Sequence, residues 1–455
     1  MKNSDWTGSE PLCHDELSLF IRMNICVYGL WHLGCVTAGC LAEHFPTIGL
    51  DPDPEKISDL VAGNPPILEP GLTDLLSAGV SAEMLRFMTD THEAVSASEL
   101  IWVTFDTPVD EEDRADVSYV ETQISALFPH LRDGSIVLVS SQLPVGSTRR
   151  IEAAFRRARP GTDVHFACSP ENLRLGKALD VFRNPERIVV GTRGDQVRER
   201  LLPVLSPFCD NIVWMSVESA EMTKHALNAF LANSVAFMNE IASVCEEVGA
   251  DAKEVERGLK SDERIGPRSY LAPGGAFAGG TLARDVSFLI SAAASARLSA
   301  PLLGSIKQSN DLHKNWTRRK LVSVLGSLEG RTVAVLGLTY KPGTNTLRRS
   351  GAIELCRWLS GEGVVVRAFD PVVTELPPDI GPTVALAESA ISAIADSDAV
   401  IVATEWPAFR DLSAHDLISR MSNPLVLDGN RFLAKSLGAS PPLVYVAVGM
   451  PKEIA

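Results

Sequence analysis

Two stretches of the chain carry residue types and spacings that suit chemistry. The first is "GLWHLG", Gly29 to Gly34, which begins at the end of the apolar run "MNICVYGL". A glycine turn between a strand and a helix offers backbone N–H groups to a pyrophosphate, and its usual spacing is G-x-G-x-x-G. Trp31 stands here at the second glycine. Its indole must either crowd the pyrophosphate or point away from it. Asp51 ends the next strand, about 20 residues on, where a carboxylate binds the ribose hydroxyls of NAD. The same carboxylate opposes the extra phosphate of NADP. The competing assignment for Asp51 is a cap on the helix that begins "PDPEKI". The second stretch is "GGAFAGGTLARDVSF", Gly274 to Phe288. It is glycine-rich, holds the charged pair Arg284–Asp285, and contains neither cysteine nor histidine. It reads as a backbone loop shaped around a ligand.

The elements that must position these stretches follow from periodicity. "MNICVYGL" (23–30), a helical pattern "CVTAGCLAEHF" and a strand "TIGLD" make one strand–helix–strand unit. "LIWVTF" (100–105), "SIVLVSS" (135–141) and "RIVVGT" (187–192) continue it as buried parallel strands. The expectation is a doubly wound first domain over 23–210. One long helix is expected over 216–248, uninterrupted by proline or glycine, with further helical text to about residue 325. The pattern then restarts at "RTVAVLGLTYKPG" (331–343) with "VVVRAFDP", "DAVIVATEW" and "PLVLDGN" as further strands. The fold class is therefore α/β, with two doubly wound Rossmann-like domains joined by a long central helix. The domains expected are an N-terminal extension 1–22 with a short helix, a nucleotide-binding domain 23–210, a central helical region 211–326 and a second Rossmann-like domain 327–455.

Bulk properties exclude some classes. The 455 residues carry a formal net charge of −15, which argues against a nucleic-acid binder needing a basic face. No apolar run approaches the roughly 18–20 residues of a membrane span. Eight scattered cysteines form no C-x-x-C, and no secretory pattern opens the chain. The reading is reduced thiols in a cytoplasmic protein, with no metal site.

A series of stretches then resembles the UDP-glucose/GDP-mannose dehydrogenase family. They are "LDPDPEKI", "GNPPILEPGL", "DTPVDEEDRADVSYVE", "SPENLRLGKAL" with "NPERIVVG", "AEMTKHALNAFLANSVAFMNEIA", "ERIGPRSYLAPGGAFAGG", "GLTYKPGTNTLRRS" and "TEWPAFRDL", all in the family's order. The resemblance implies an N-terminal NAD domain, a helical dimerising centre and a C-terminal domain for the nucleotide of a UDP-sugar. It implies oxidation of a sugar C6 alcohol to a carboxylate with two NAD, a cysteine thiolate holding the intermediate. Carried over, Lys224 and Asn228 stabilise the C6 oxyanion; they are one helical turn apart and share a face. Asp285 orders a water, and Glu171 matches the first glutamate of the SPEFLxEG-like stretch. The cofactor set is Gly29, Trp31, Leu33, Gly34, Asp51, Lys56, Thr107 and Arg348. The substrate set is Phe277, Gly279, Lys341 and Arg264, the last reaching a neighbouring subunit's site in a homodimer.

The sequence also departs from the family. Its loop is GFGGSCFPKD-like, and the cysteine position is Thr281 here, with Arg284 in place of lysine. The family's second glutamate is Leu175, and its KSTxP threonine is Gln142. A thiol of pKa about 8.5 ionises usefully at neutral pH, whereas an alkyl hydroxyl needs an adjacent base. No histidine is near Thr281 in sequence, which leaves Lys224 as a candidate base. Three changes in one half-reaction predict an NAD-dependent oxidoreductase of a nucleotide sugar with altered chemistry, two-electron or redox-neutral. A sugar-nucleotide-binding homologue without turnover, and a conventional four-electron UDP-sugar 6-dehydrogenase, stay open at this point.

Overall fold

The computed structural model describes residues 23–110, 115–171, 173–278, 281–437 and 440–451. The short helix expected in the N-terminal extension, and Gly279, lie outside the described residues. The chain divides into two compact units, one ending at Lys224 and the other starting at His225.

In the first unit eight strands form one sheet: β1 (Ile25–Tyr28), β2 (Thr47–Leu50), β3 (Leu85–Met88), β4 (Leu100–Val103), β5 (Ile136–Val139), β6 (His165–Cys168), β7 (Ile188–Gly191) and β8 (Ile212–Met215). Their order is β3-β2-β1-β4-β5-β6-β7-β8. The alternation of side chains along each strand fills both faces. Ile25, Val27, Leu100, Trp102, Ile136 and Leu138 pack on one side. Cys26, Tyr28, Ile101, Val103, Val137 and Val139 pack on the other. Burial on both faces is why these strands read as continuous apolar runs. The order reverses between β1 and β4, so the carboxyl ends of these two strands flank the crevice where α/β sheets bind ligands.

One expectation changes. The strand expected at "RIVVGT" forms as β7, but it pairs antiparallel with β6 through Cys168 and Gly191 and parallel with β8. Antiparallel pairing needs no crossover helix, and the segment between β6 and β7 carries only the six-residue helix Ala178–Arg183.

The second unit repeats the plan. Its strands β9 (Thr332–Leu336), β10 (Val365–Phe369), β11 (Val384–Leu386), β12 (Ala399–Val402), β13 (Leu425–Asp428) and β14 (Val444–Val446) run β11-β10-β9-β12-β13-β14, all parallel. The long helix forms as Val217–Val248, 32 residues. Within the second unit its Ala229, Ala232 and Ala236 pack on Val286 and Ile306. These two residues lie on the helices Thr281–Ser295 and Pro301–Lys314.

Candidate functional site

The first glycine turn is built by sterics. Gly29 has φ +99°, a left-handed conformation that side chains rarely adopt, and a Cβ there would lie 2.7 Å from the Phe105 ring. A Cβ on Gly34 would sit 1.9 Å from the Gly29 carbonyl oxygen. Both positions therefore require glycine, one for the turn and one for helix-on-strand contact. Trp31 needs neither: it has φ −103°, caps the helix His32–Leu41, and its side chain stands 41% exposed. Of the two arrangements open to Trp31, the structure has the indole out in solvent. Leu33 follows half-buried on the same helix.

Asp51 is 1% exposed and heavily used. Its Oδ2 accepts from Leu30 N at 2.7 Å and Lys56 Nζ at 2.9 Å, and its Oδ1 accepts from Asp53 N at 3.1 Å. The helix Pro54–Val61 is capped by Asp53, which accepts from Glu55 N and Lys56 N. Asp51 is thus not the cap. A carboxylate has about four acceptor positions, so Oδ1 keeps one for a ribose hydroxyl. A glycine cradle closed to any Cβ, with a carboxylate at the end of the neighbouring strand, fits a dinucleotide. Thr107, also expected at the cofactor, is buried and donates its hydroxyl to the Gln142 carbonyl at 2.6 Å.

Lys224 is 8% exposed, and its ammonium donates to the Glu171 carbonyl oxygen at 2.5 Å. The Glu171 carboxylate turns back onto Leu173 N. Sequence reasoning missed the residue that fixes Lys224 on this unit. Glu221, one turn earlier on the same helix, accepts from Gly146 N at 2.5 Å, Thr148 N at 2.9 Å and Thr148 Oγ1 at 2.7 Å. These donors open the helix Ser147–Ala158, where a carboxylate satisfies orphan N–H groups and meets the positive end of the helix dipole.

In the second unit the glycine-rich loop is pinned by amides and an imidazole far away in sequence. Gly274 N donates to Asn239 Oδ1 at 3.0 Å, and the Gly274 carbonyl lies 2.8 Å from His313 Nε2. Gly275 N donates to Asn430 Oδ1 at 2.7 Å, and Phe277 exchanges two hydrogen bonds with Asn310 at 2.9 and 2.8 Å. A Cβ on Gly274 would meet Asn430 Oδ1 at 2.1 Å. The loop leads into Thr281, the first residue of the helix Thr281–Ser295, exposed at its N-terminus.

Asp285 follows one turn later, fully buried, and both of its oxygens have partners on the long helix. His225 Nδ1 lies 2.7 Å from Oδ1, and Asn228 Nδ2 donates to Oδ2. Asp285 therefore has partners beyond its neighbour Arg284. His225 is the residue that sequence reading overlooked: it lies 60 positions from Asp285.

Burial holds the His313 imidazole below its usual range, opposed in part by the bond to Gly274. A histidine depressed in the fold stabilises it while neutral. That contribution is complete above the unfolded value of about 6.5 and is lost as pH falls through the lower native value. The protection of the Gly274–Phe277 amides, taken relative to their intrinsic exchange rate at each pH, is therefore expected to fall as pH drops below about 6.5. His313→Gln, which keeps a donor without titrating, should flatten that response; an unchanged pH dependence in the variant would contradict it.

The remaining expected residues are peripheral within their own unit. Arg264 is exposed and forks onto Asp262 at 3.0 and 2.8 Å. Lys341 and Arg348 lie on the segment after β9, which leaves that strand through Gly337 at φ +87°. There Asp370 accepts from Leu338 N at 2.7 Å and Trp406 Nε1 at 2.9 Å. This repeats the Leu30–Asp51 arrangement, with an indole where the first unit has Lys56.

Burial works against ionisation of six of the described thiols. Burial pushes Cys35, Cys40 and Cys356 up to about 12, and raises Cys26, Cys168 and Cys245 as well. All seven described cysteines are unpaired. Among the described residues no helix is long and apolar enough to cross a membrane, and no cluster of three or more His, Cys, Asp or Glu has a metal-holding arrangement.

Comparison with known proteins agrees with this geometry. Residues 23–209 match the NAD binding domain of the UDP-glucose/GDP-mannose dehydrogenase family, 218–312 its central domain and 334–435 its UDP binding domain. The chain is 32% identical to UDP-glucose 6-dehydrogenase TuaD of Bacillus subtilis, over 94% of this chain and 93% of that protein. It is 34% identical to UDP-glucose 6-dehydrogenase of Pseudomonas aeruginosa, over 94% and 98%. Among solved structures, a UDP-glucose dehydrogenase from the hyperthermophilic archaeon Pyrobaculum islandicum superposes with a TM-score of 0.85 at 30% identity, covering 94% of this chain and 98% of that one. With the dinucleotide cradle in place and all three domains matched in order, the chain belongs to the UDP-glucose/GDP-mannose dehydrogenase family and is an NAD-dependent oxidoreductase of that family.

Proposed function

We propose that the enzyme oxidises a UDP-hexose by a single hydride transfer and does not carry the alcohol on to a carboxylate. The carbonyl product is released, or is re-reduced to a different sugar with no net redox change. The two UDP-glucose 6-dehydrogenase relatives and the UDP binding domain support the substrate class. NAD, when bound, accepts the hydride. The Lys224 ammonium and the Asn228 amide hold the sugar oxygen as its proton passes to the Glu171 carboxylate, where a cation and a fixed donor matter most. Glu171 fixes Lys224 through its carbonyl. Gly29, Gly34 and Asp51 hold the cofactor, with Leu33, Lys56 and Thr107 on the same unit; Arg348, on the second unit, is assigned to the cofactor by the family resemblance alone. Phe277, Gly279 and Lys341 shape the sugar-nucleotide side.

The observation that carries this reading is the missing thiol. Thr281 stands at the loop's end, and six of the described thiols are held protonated by burial. Holding an aldehyde for a second oxidation needs a nucleophile, and an unassisted hydroxyl does not ionise at neutral pH. Leu175 and Gln142, on the first unit, offer no carboxylate or hydroxyl for water.

We also infer a homodimer formed through the long helix. Phe230, Phe237 and Val244 are spaced by seven residues and stand 67%, 47% and 57% exposed, an apolar stripe suited to a facing helix. The exposed Arg264 then serves the neighbouring subunit's site. Unpaired thiols support a cytoplasmic location.

The test counts NADH against UDP-hexose consumed across a panel of sugars. One NADH per sugar, or a new sugar with none, is the expected result. Two NADH per sugar would overturn the reading.

A further inference from the structure

We propose that His225 is a positioning residue: through Asp285 it sets the orientation of the Asn228 amide that meets the reacting oxygen. The inference rests on the role given to Asn228 above. His225 and Asn228 lie on the long helix, and Asp285 lies on the helix Thr281–Ser295. The imidazole is 1% exposed, the carboxylate 0% and the amide 5%. Phe288 stands edge-on to the imidazole, ring centroids 5.4 Å apart, and keeps it in place.

An ionised carboxylate only accepts hydrogen bonds. His225 must therefore carry a proton on Nδ1, and Asn228 must present its NH2 end rather than its carbonyl. An isolated asparagine amide has two nearly equivalent settings; Asp285 leaves it one. The same nitrogen carries a second N–H, which can serve an oxyanion. The Nδ1–H on the other carboxylate oxygen keeps Asp285 in the acceptor state. Without that donor, the buried carboxylate loses one of the hydrogen bonds that fix its plane. The carboxylate is then free to turn, and the amide loses its fixed setting. Thr281 gains no base from this arrangement: Nδ1 is committed to Asp285, and the ring is buried whereas Thr281 is exposed.

The experiment compares His225→Leu with His225→Asn in the full-length enzyme. Asparagine can place a donor where Nδ1 stands; leucine cannot. Loss of fixed geometry should lower kcat of His225→Leu by about tenfold or more, with KM for the UDP-hexose and affinity for NAD unchanged. His225→Asn should recover to within about threefold of wild type, since the donor is restored. A folded His225→Leu protein with wild-type kcat, or no rescue by asparagine, would overturn the proposal. A second readout does not depend on turnover. In 15N-histidine-labelled protein, His225 is expected as the Nδ1–H form, with its signal moved by Asp285→Asn. An Nε2–H form, or a signal indifferent to Asp285→Asn, would overturn the proposal even if no sugar is turned over, an outcome that would count against the functional reading alone.

Discussion

Lys224→Met is expected to lower kcat by about 10²–10³-fold, the loss typical of one removed oxyanion donor. Methionine preserves the length and apolar stem of the side chain but removes the charge and all three donors. The wild-type ammonium is buried and already oriented by the Glu171 carbonyl at 2.5 Å, so it meets developing charge without first reorganising. Its helix is separately fastened by Glu221 on the three donors around Gly146 and Thr148. The variant should therefore fold and bind NAD as wild type does. A loss confined to kcat, measured by steady-state kinetics with NAD affinity as control, is the expected pattern. A variant within about threefold of wild type would remove Lys224 from the chemistry.

Gly34→Ala is expected to abolish detectable NAD binding and to destabilise the first unit by about 3 kcal/mol or more, at or beyond the usual range for overpacking. The added Cβ would lie 1.9 Å from the Gly29 carbonyl oxygen and 2.9 Å from its carbon. Both are backbone atoms that cannot swing aside as a side-chain tip can. The helix His32–Leu41 would have to lift from β1 and carry the phosphate turn with it. Trp31→Gly at the neighbouring position should leave binding within a few-fold, because Trp31 has an ordinary φ and an exposed side chain. Calorimetric titration with NAD and thermal unfolding of both variants check the pair. Equal behaviour of the two would contradict the steric account.

The elements with continuous apolar runs were legible in the sequence because both faces of their sheets are covered: β1, β4 and β5 in one unit, β9, β12 and β13 in the other. β3, β6, β8, β11 and β14 were not singled out. All but β6 are sheet-edge strands of three or four residues, only partly buried, so periodicity has little to report; β6 is central, but its four residues His165–Cys168 open on a histidine and are too few to read as an apolar run. The direction of β7 depends on how the chain returns, which composition does not encode. At the site, local patterns were readable: the glycine turn, Asp51 after the second strand, Lys224 and Asn228 one turn apart. Partnerships across the fold were not. His225 meets Asp285 across 60 residues, and Asn239, Asn310, His313 and Asn430 reach the glycine loop across 33 to 155. No histidine lies near the glycine loop in sequence, and the imidazole that meets Asp285 comes from a helix far upstream. "KHALN" held the signal: His225 lies between two residues already assigned to chemistry.

Thr281 stands where the family resemblance places a thiolate. The most direct test is a mass spectrum of the sugar-nucleotide product after incubation of the wild-type enzyme with NAD and UDP-hexoses, with Thr281→Cys alongside. The account predicts a carbonyl product or an isomeric sugar from wild type, with any acid confined to the cysteine variant. A uronic acid made by the wild-type enzyme, one oxygen richer and two hydrogens poorer than its substrate, would contradict it.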